Sequence, residues 1–476
     1  MSLLLLFAFT QAAAAYVIPW PLPRADVART ARSPYIGPRA LSPIPTFSTT
    51  YGHGALVGGD PASYPSNVIY TRVCFSDCTG DAARDDSIRY AQTGSAGATR
   101  RGPGPLTSHA LTRTDALTFI QNETVFYIQA ERGVFSDTRW TRTLTDTSTV
   151  QGVLPTLGAV LVPLAGDAGF VALDGDTGTI AWTSSPPVPT VLFPNAALLA
   201  DAVVDEVTGR LYQLACVGGS LSVVTIKLVS GATTASPSIL SECSNFTSLV
   251  LDDGLLLATG VRAAFTSGSN FYPSIGFALA LDPNDPGAGN DVFPGVRYVN
   301  ETLSVLACGT SFCAAVVRPA GDVVILSKPY AGGPVYAFAE RVRVKLGKAS
   351  GAPVVDAHGA IYVSSLAGDL YVLNPETGAT IASAQLGRPA SETVVELALT
   401  QGLLIVTTSL PSVYAIGSTP AAPAAAAAAA PLPAAGVAGI SVVSTLAVAG
   451  IAVGALWQRN VLQFRWHGEA QPLLEK

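Results

Sequence analysis

The sequence predicts an all-β ectodomain, a β-propeller of about seven four-stranded blades (six to eight), followed by one C-terminal transmembrane helix. Three observations predict it. Between 45 and 417 no long helical period occurs; short runs of Val, Ile, Leu, Tyr and Phe are broken by Gly, Asp, Asn and Pro, the pattern of many strands joined by tight turns. A strand–turn–strand unit recurs about every 48 residues, close to the length of one propeller blade. No charged residue lies between Glu396 and Arg459, and this window holds the apolar stretch 436–457.

Composition narrows the function classes. The chain has 476 residues, 49% hydrophobic and only 13% charged, which excludes disorder as the main theme. A net charge of -6 and a pI near 5.3 argue against a nucleic-acid binder, which needs a basic face. Six cysteines, an even number, suit an oxidising compartment.

The elements follow in order. Residues 1–15 read as a signal peptide, with an apolar core from Leu3 to Phe9 and a small-residue site ending at Ala15. Residues 16–44 are an N-terminal extension and 45–417 the propeller. Residues 418–435, STPAAPAAAAAAAPLPAA, form a Pro/Ala-rich stalk. The 22 residues 436–457 are long enough for a hydrocarbon core of about 30 Å. Trp457 marks the boundary, and Arg459 and Arg465 place the tail 458–476 in the cytoplasm. Signal peptide and late span together predict a type I membrane protein of the secretory or endolysosomal pathway or the cell surface. The sequons at Asn122, Asn245 and Asn300 then fall on the lumenal side as glycosylation sites.

The clearest repeats are GFVALDGDTGTIAW (169–182) and GDLYVLNPETGATIAS (368–383). Each is an alternating strand, a turn carrying Asp or Asn before Thr-Gly, and a second short strand. Ile128, Leu173, Leu228, Leu281, Phe338, Leu373 and Ile416 anchor seven such strands. The segments YGHGALVG (51–58) and VIYTRVCF (68–75) are expected to close the ring. Trp182 ends a repeat, where its indole is expected to pack between blades.

The shared turn behind an alternating strand resembles the repeat of the pyrroloquinoline-quinone (PQQ)-like, quinoprotein alcohol dehydrogenase-like β-propellers. That resemblance implies the fold, which serves dehydrogenases, non-catalytic scaffolds and lumenal sensors alike, so function rests on the site. In the family's dehydrogenases the quinone lies between a Trp and a disulfide of adjacent cysteines, with carboxylate and Asn ligands to calcium. Here Cys74, Cys78, Cys216, Cys243, Cys308 and Cys313 include no adjacent pair, and Trp20, Trp140 and Trp182 are the tryptophans before the span. No cofactor, catalytic or metal-ligating residue is therefore assigned.

Other chemistry is equally absent from the sequence. His53, His109, His358 and His467 form no His-Glu-x-x-His, and no Cys-x-x-Cys or Gly-x-Ser-x-Gly occurs. His358 lies in an Asp-Ala-His-Gly turn and reads as a surface residue. Asp174-Gly-Asp176 lacks the remaining ligands of a calcium loop and reads as a repeat turn, and the acidic loop from Asp282 to Asp291 reads as solvated. The cysteines read as staples, Cys74 with Cys78, Cys308 with Cys313 and Cys216 with Cys243, although all fifteen connectivities of six cysteines remain open.

Two features concern partners. Gly450 and Gly454 form a G-x-x-x-G pattern that lets helices approach, the basis for a homodimer. Glu469, Leu473 and Leu474 resemble the acidic dileucine signals that clathrin adaptors read as sorting motifs. The expected function is a non-catalytic membrane protein whose lumenal or extracellular propeller binds a protein or glycan partner, as scaffold, receptor or sorting protein. The alternative is a membrane-tethered quinoprotein-type dehydrogenase. A sensor role is weakened because the tail has no room for an effector domain.

Overall fold

Alternating apolar residues between turn-forming Gly, Asp and Asn give short strands that pair with their sequence neighbours, and each group of four makes one sheet. The structure, a computed structural model, describes residues 29–41 and, with breaks between strands, 43–417; from 43 to 139 it describes strand backbone alone.

Eight such sheets occur among the described residues, one more than the seven that the repeat anchors predict. Blade 1 runs from His53–Gly59 to Ala96–Arg100 and blade 2 from Leu106–Leu111 to Asp137–Leu144. Blade 3 runs from Leu154–Thr156 to Ile180–Thr183, blade 4 from Val203–Asp205 to Thr233–Ala235, and blade 5 from Asn245–Asp252 to Gly295–Val299. Blade 6 spans Thr302–Leu303 to Ala339–Val344, and blade 7 spans Val354–Val355 to Thr380–Gln385. Blade 8 takes Val394–Thr400, Leu403–Thr408 and Val413–Ile416 from the end of the propeller and Pro43–Thr49 from its beginning. Pro43–Thr49 pairs antiparallel with Val413–Ile416, so the two ends of the ring are joined by hydrogen bonds. The segments at 51–58 and 68–75 instead supply the first two strands of blade 1.

One anchor is displaced within its blade, and the miscount comes from the one blade that has no anchor. Phe338 precedes the fourth strand of blade 6, whose third strand is Asp322–Ser327. The third strand of blade 1, Asp85–Ala91, reads DDSIRYA and lacks the apolar run that marks its counterparts. The two best repeats fall in blades 3 and 7, four blades apart.

The core lies between blades rather than within them. Leu161, Phe170, Leu211 and Ile226 join blades 3 and 4, and Tyr212, Leu214, Phe246 and Leu279 join blades 4 and 5. Val250, Leu257, Val317 and Val324 join blades 5 and 6, and a larger cluster joins blades 6, 7 and 8. First strands lie side by side between blades 1 and 2, 2 and 3, 4 and 5, 6 and 7, and 7 and 8, and that of blade 1 lies against that of blade 8. A ring of sheets removes the exposed edges that a row of them would leave.

Tryptophans lock neighbouring blades. Trp140, on the outer strand of blade 2, donates its indole N–H to Gly175 O at 3.0 Å and lies against Gly178. Trp182 repeats this one blade on, donating to Leu228 O at 2.6 Å and lying against Gly231. A Cβ on Gly231, whose φ is +69°, would stand 2.6 Å from the Trp182 ring. Gly231→Val is therefore expected to cost about 2–5 kcal/mol, combining left-handed strain with a packing clash. Gly209→Val, at φ +65° but with open space around it, should cost about 1–2 kcal/mol. Thermal melts of the two variants check the contrast.

Among the described residues no helix is long and apolar enough to cross a membrane. The leader 1–15, stalk 418–435, apolar stretch 436–457 and tail 458–476, with Glu469, Leu473 and Leu474, lie outside the described residues.

Candidate functional site at the ring axis

In an antiparallel blade, turns between strands one and two lie at one end of the ring, with those between strands three and four. Links between strands two and three, and between blades, lie at the other end. Residues 29–41, part of the predicted N-terminal extension, are packed onto the first of these ends. Arg29 Nε donates to Ala202 O of blade 4 at 3.0 Å, and Ser33 Oγ donates to Leu399 O of blade 8 at 3.4 Å. Four blades separate those partners, half of a ring of eight, so the segment spans half of this mouth. On the way Thr30 O accepts from Cys308 N of blade 6, and Ser33 N and Val355 O of blade 7 bond at 2.8 Å. Thr30, Ala31, Ser33 and Leu41 are buried.

Asp356 holds this strap. Its side chain is wholly buried. One carboxylate oxygen accepts from the N–H groups of His358 and Ala360. The other accepts from Gly37 N at 3.1 Å and Tyr362 Oη at 3.2 Å and faces Arg39 at 3.0 Å. Burial, and next the Asp356 charge, push the Tyr362 phenol up, so its proton stays in place to be donated. Sequence reasoning drew attention to His358 in this turn, but His358 is exposed and the buried group is its neighbour two residues before.

A second ion cluster lies where the strap meets blades 5 and 6. Lys328, nearly buried, reaches Asp252 at 3.1 Å and Asp253 at 2.5 Å, and Arg32 reaches Asp252 at 3.5 Å. Burial raises the Asp252 carboxyl above its usual range, against the opposing pull of Lys328 and Arg32. Both carboxylate clusters are thus occupied by the chain's own cations and donors.

A quinone with calcium does not fit the described residues. Trp140 and Trp182 sit on outer strands and face the next blade. Cys308 and Cys313 are bonded to each other across a turn of blade 6, both fully buried, and five positions separate them. The carboxylates Asp252 and Asp356 are already engaged by Lys328, Arg32, Arg39 and Tyr362.

Of the other predicted residues, Cys74 and Cys216 lie on second strands of blades 1 and 4; their side chains, and Cys78 and Cys243, are outside the described residues. Asn122 ends the second strand of blade 2 and Asn245 opens the first strand of blade 5. Asn300 is exposed in the turn between blades 5 and 6. The turn at Asp174 is held by its own carboxylate, which accepts from Asp176 N, Thr177 N and Thr177 Oγ1.

The opposite end of the ring carries exposed apolar residues as well. A separate hairpin, Phe265–Ser267 with Asn270–Tyr272, is inserted between strands two and three of blade 5. Its Phe271 is 69% exposed, and Tyr272 and nearby Val299 are exposed as well.

Comparison with solved structures returns ring-shaped relatives at low identity. BamB from Moraxella catarrhalis aligns with a TM-score of 0.50 at 12% identity, covering 80% of this chain and 98% of its own. A europium-containing methanol dehydrogenase aligns at 0.51 and 11%, covering 85% and 99%. The quinohemoprotein alcohol dehydrogenase from Comamonas testosteroni aligns at 0.52 and 12%, covering 87% and 83%. The chain thus resembles the PQQ-like β-propellers at the level of fold. No family model matches the chain, and no curated protein matches it.

Proposed function

We propose that this chain is a non-catalytic, single-pass type I membrane protein whose lumenal or extracellular propeller binds a protein or glycan partner. The observation that carries the reading is the strap: half of one mouth of the ring is spanned by the chain's own residues, whose Arg32 and Arg39 pair with the carboxylates of Asp252 and Asp356. The ring then works through loop surface, the usual place for recognition on a rigid scaffold. The exposed aromatic hairpin of blade 5 is such a surface. The alternative, a membrane-tethered quinoprotein-type dehydrogenase, draws support from fold likeness alone, which does not carry activity.

The membrane reading rests on the apolar leader, the uncharged 436–457 stretch and the arginines after it. Protease treatment of sealed microsomes tests it. Protection of the propeller with loss of a C-terminal epitope is expected; digestion of both would contradict it.

In this reading the tail carries its signal as a linear motif. Glu469 offers a carboxylate, and Leu473 and Leu474 offer apolar side chains for a clathrin adaptor, with Pro472 favouring the extended form. Replacing Leu473 and Leu474 by Ala is expected to move the protein from endosomal, lysosomal or vacuolar membranes to the cell surface. An unchanged distribution by surface labelling would make the motif inert. Close approach at Gly450 and Gly454 supports a homodimer in the same reading.

A further inference from the structure

The fourth strand of blade 5, Gly295–Val299, passes to the first strand of blade 6 through a tight turn. Asn300 sits in this turn with φ +57°, a left-handed conformation that asparagine tolerates better than most residues. Its side chain faces solvent, and its N–H donates to Ser274 O at 2.8 Å. That bond pins the turn beside the end of the inserted hairpin. Phe271 and Tyr272 lie three and two residues before Ser274, and Val299 precedes Asn300. All three are exposed: Phe271 69%, Tyr272 42% and Val299 58%. Phe271 and Tyr272 are successive residues of one strand and face opposite sides of the hairpin, so each presents its own exposed apolar surface.

Asn300-Glu-Thr302 is also an acceptor sequon. Asn300 is exposed on its turn. Asn245 begins an axial strand, and its Thr247 hydroxyl is engaged with Thr259 and with Leu303 O. Asn122 is a strand residue paired with Val125.

We infer that Asn300 carries an N-linked glycan and that the innermost sugars of this glycan cover exposed apolar surface beside the turn, that of Val299 and of the hairpin's nearer face. Sugar rings present C–H faces that pack on aromatic side chains while their hydroxyls stay in water, which suits apolar surface rimmed by solvent. The covalent step joins Asn300 Nδ2 to C1 of an oligosaccharide delivered on a polyprenyl pyrophosphate. The C1–O bond to pyrophosphate breaks, the lipid pyrophosphate leaves with that bond's electrons, and the amide gives up one proton. The inference depends on lumenal placement and adds to it a specific site and a structural role.

The test uses the full chain expressed in a eukaryotic secretory host, with peptide mass spectrometry of each sequon. Two variants separate the acceptor from the turn: Asn300→Gly keeps a residue suited to positive φ, and Thr302→Ala keeps the asparagine but removes the sequon. A glycan at Asn300 that both variants lose is expected. Binding of a hydrophobic dye should rise severalfold in both variants and in enzymatically deglycosylated protein, and Phe271→Ser with Tyr272→Ser should reverse the rise. Glycan on Asn122 or Asn245 with Asn300 bare would overturn the site while leaving lumenal placement intact. A chain without any glycan would overturn both. Glycan at Asn300 whose removal leaves dye binding unchanged would overturn the covering role.

Discussion

Asp356→Ala is expected to lower stability by about 3–5 kcal/mol and to free the N-terminal strap. The carboxylate is buried and accepts from Gly37, His358, Ala360 and Tyr362 while facing Arg39. Alanine removes the acceptor of the buried N–H groups of Gly37 and Ala360 at once, and each such unpaired donor costs about 1–3 kcal/mol. Asp356→Asn keeps one acceptor oxygen and should fall between. Denaturant unfolding gives the energy, and trypsin reports the strap, which contains Arg29, Arg32 and Arg39. Faster cleavage in Asp356→Ala at unchanged ring cleavage is the expected pattern. Unchanged melting and cleavage would mean that the strap is held elsewhere.

Starting the chain at Thr50 instead of Arg29 is expected to abolish cooperative folding. The shorter chain loses the outer strand of blade 8, Pro43–Thr49, together with the strap. Val413–Ile416 would then present an unpaired edge, and Leu41 and Ala31 would leave the cluster joining blades 6, 7 and 8. Domains hold only about 5–15 kcal/mol of net stability, so a loss of closure on this scale exceeds the margin. Light scattering and circular dichroism of the two truncations distinguish the outcomes. An equally soluble and cooperative protein beginning at Thr50 would show that closure is dispensable.

Blade architecture was legible because repeat turns are local. Leu173-Asp174 and Leu373-Asn374 announce their strand ends and turns with residues that bond to their own backbone, and the structure places both on third strands. Blade 1 escaped because DDSIRYA carries no regular apolar run, so no period marks it. The strap was not legible at all. Its stabilising partners lie between 173 and 366 positions away, from Ala202 for Arg29 to Leu399 for Ser33, and no spacing rule connects them. Asp356 carries a faint signal, an Asp before Ala-His-Gly, but a turn aspartate looks the same whether it caps its own turn or also anchors a distant segment. The docking role of Trp182 was legible from its place at the end of a repeat, while its partner Gly231 came only with the fold.

The central claim is that this ring binds through its surface rather than performing quinone chemistry at its axis. The direct measurement is dye reduction by the purified ectodomain with added PQQ and Ca²⁺ over a panel of alcohols and sugars, alongside titration of PQQ binding. No saturable binding and no PQQ-dependent dye reduction are predicted, because Asp252 and Asp356 are already engaged by Lys328, Arg32, Arg39 and Tyr362. Saturable, PQQ-dependent oxidation of any of these substrates would contradict the account.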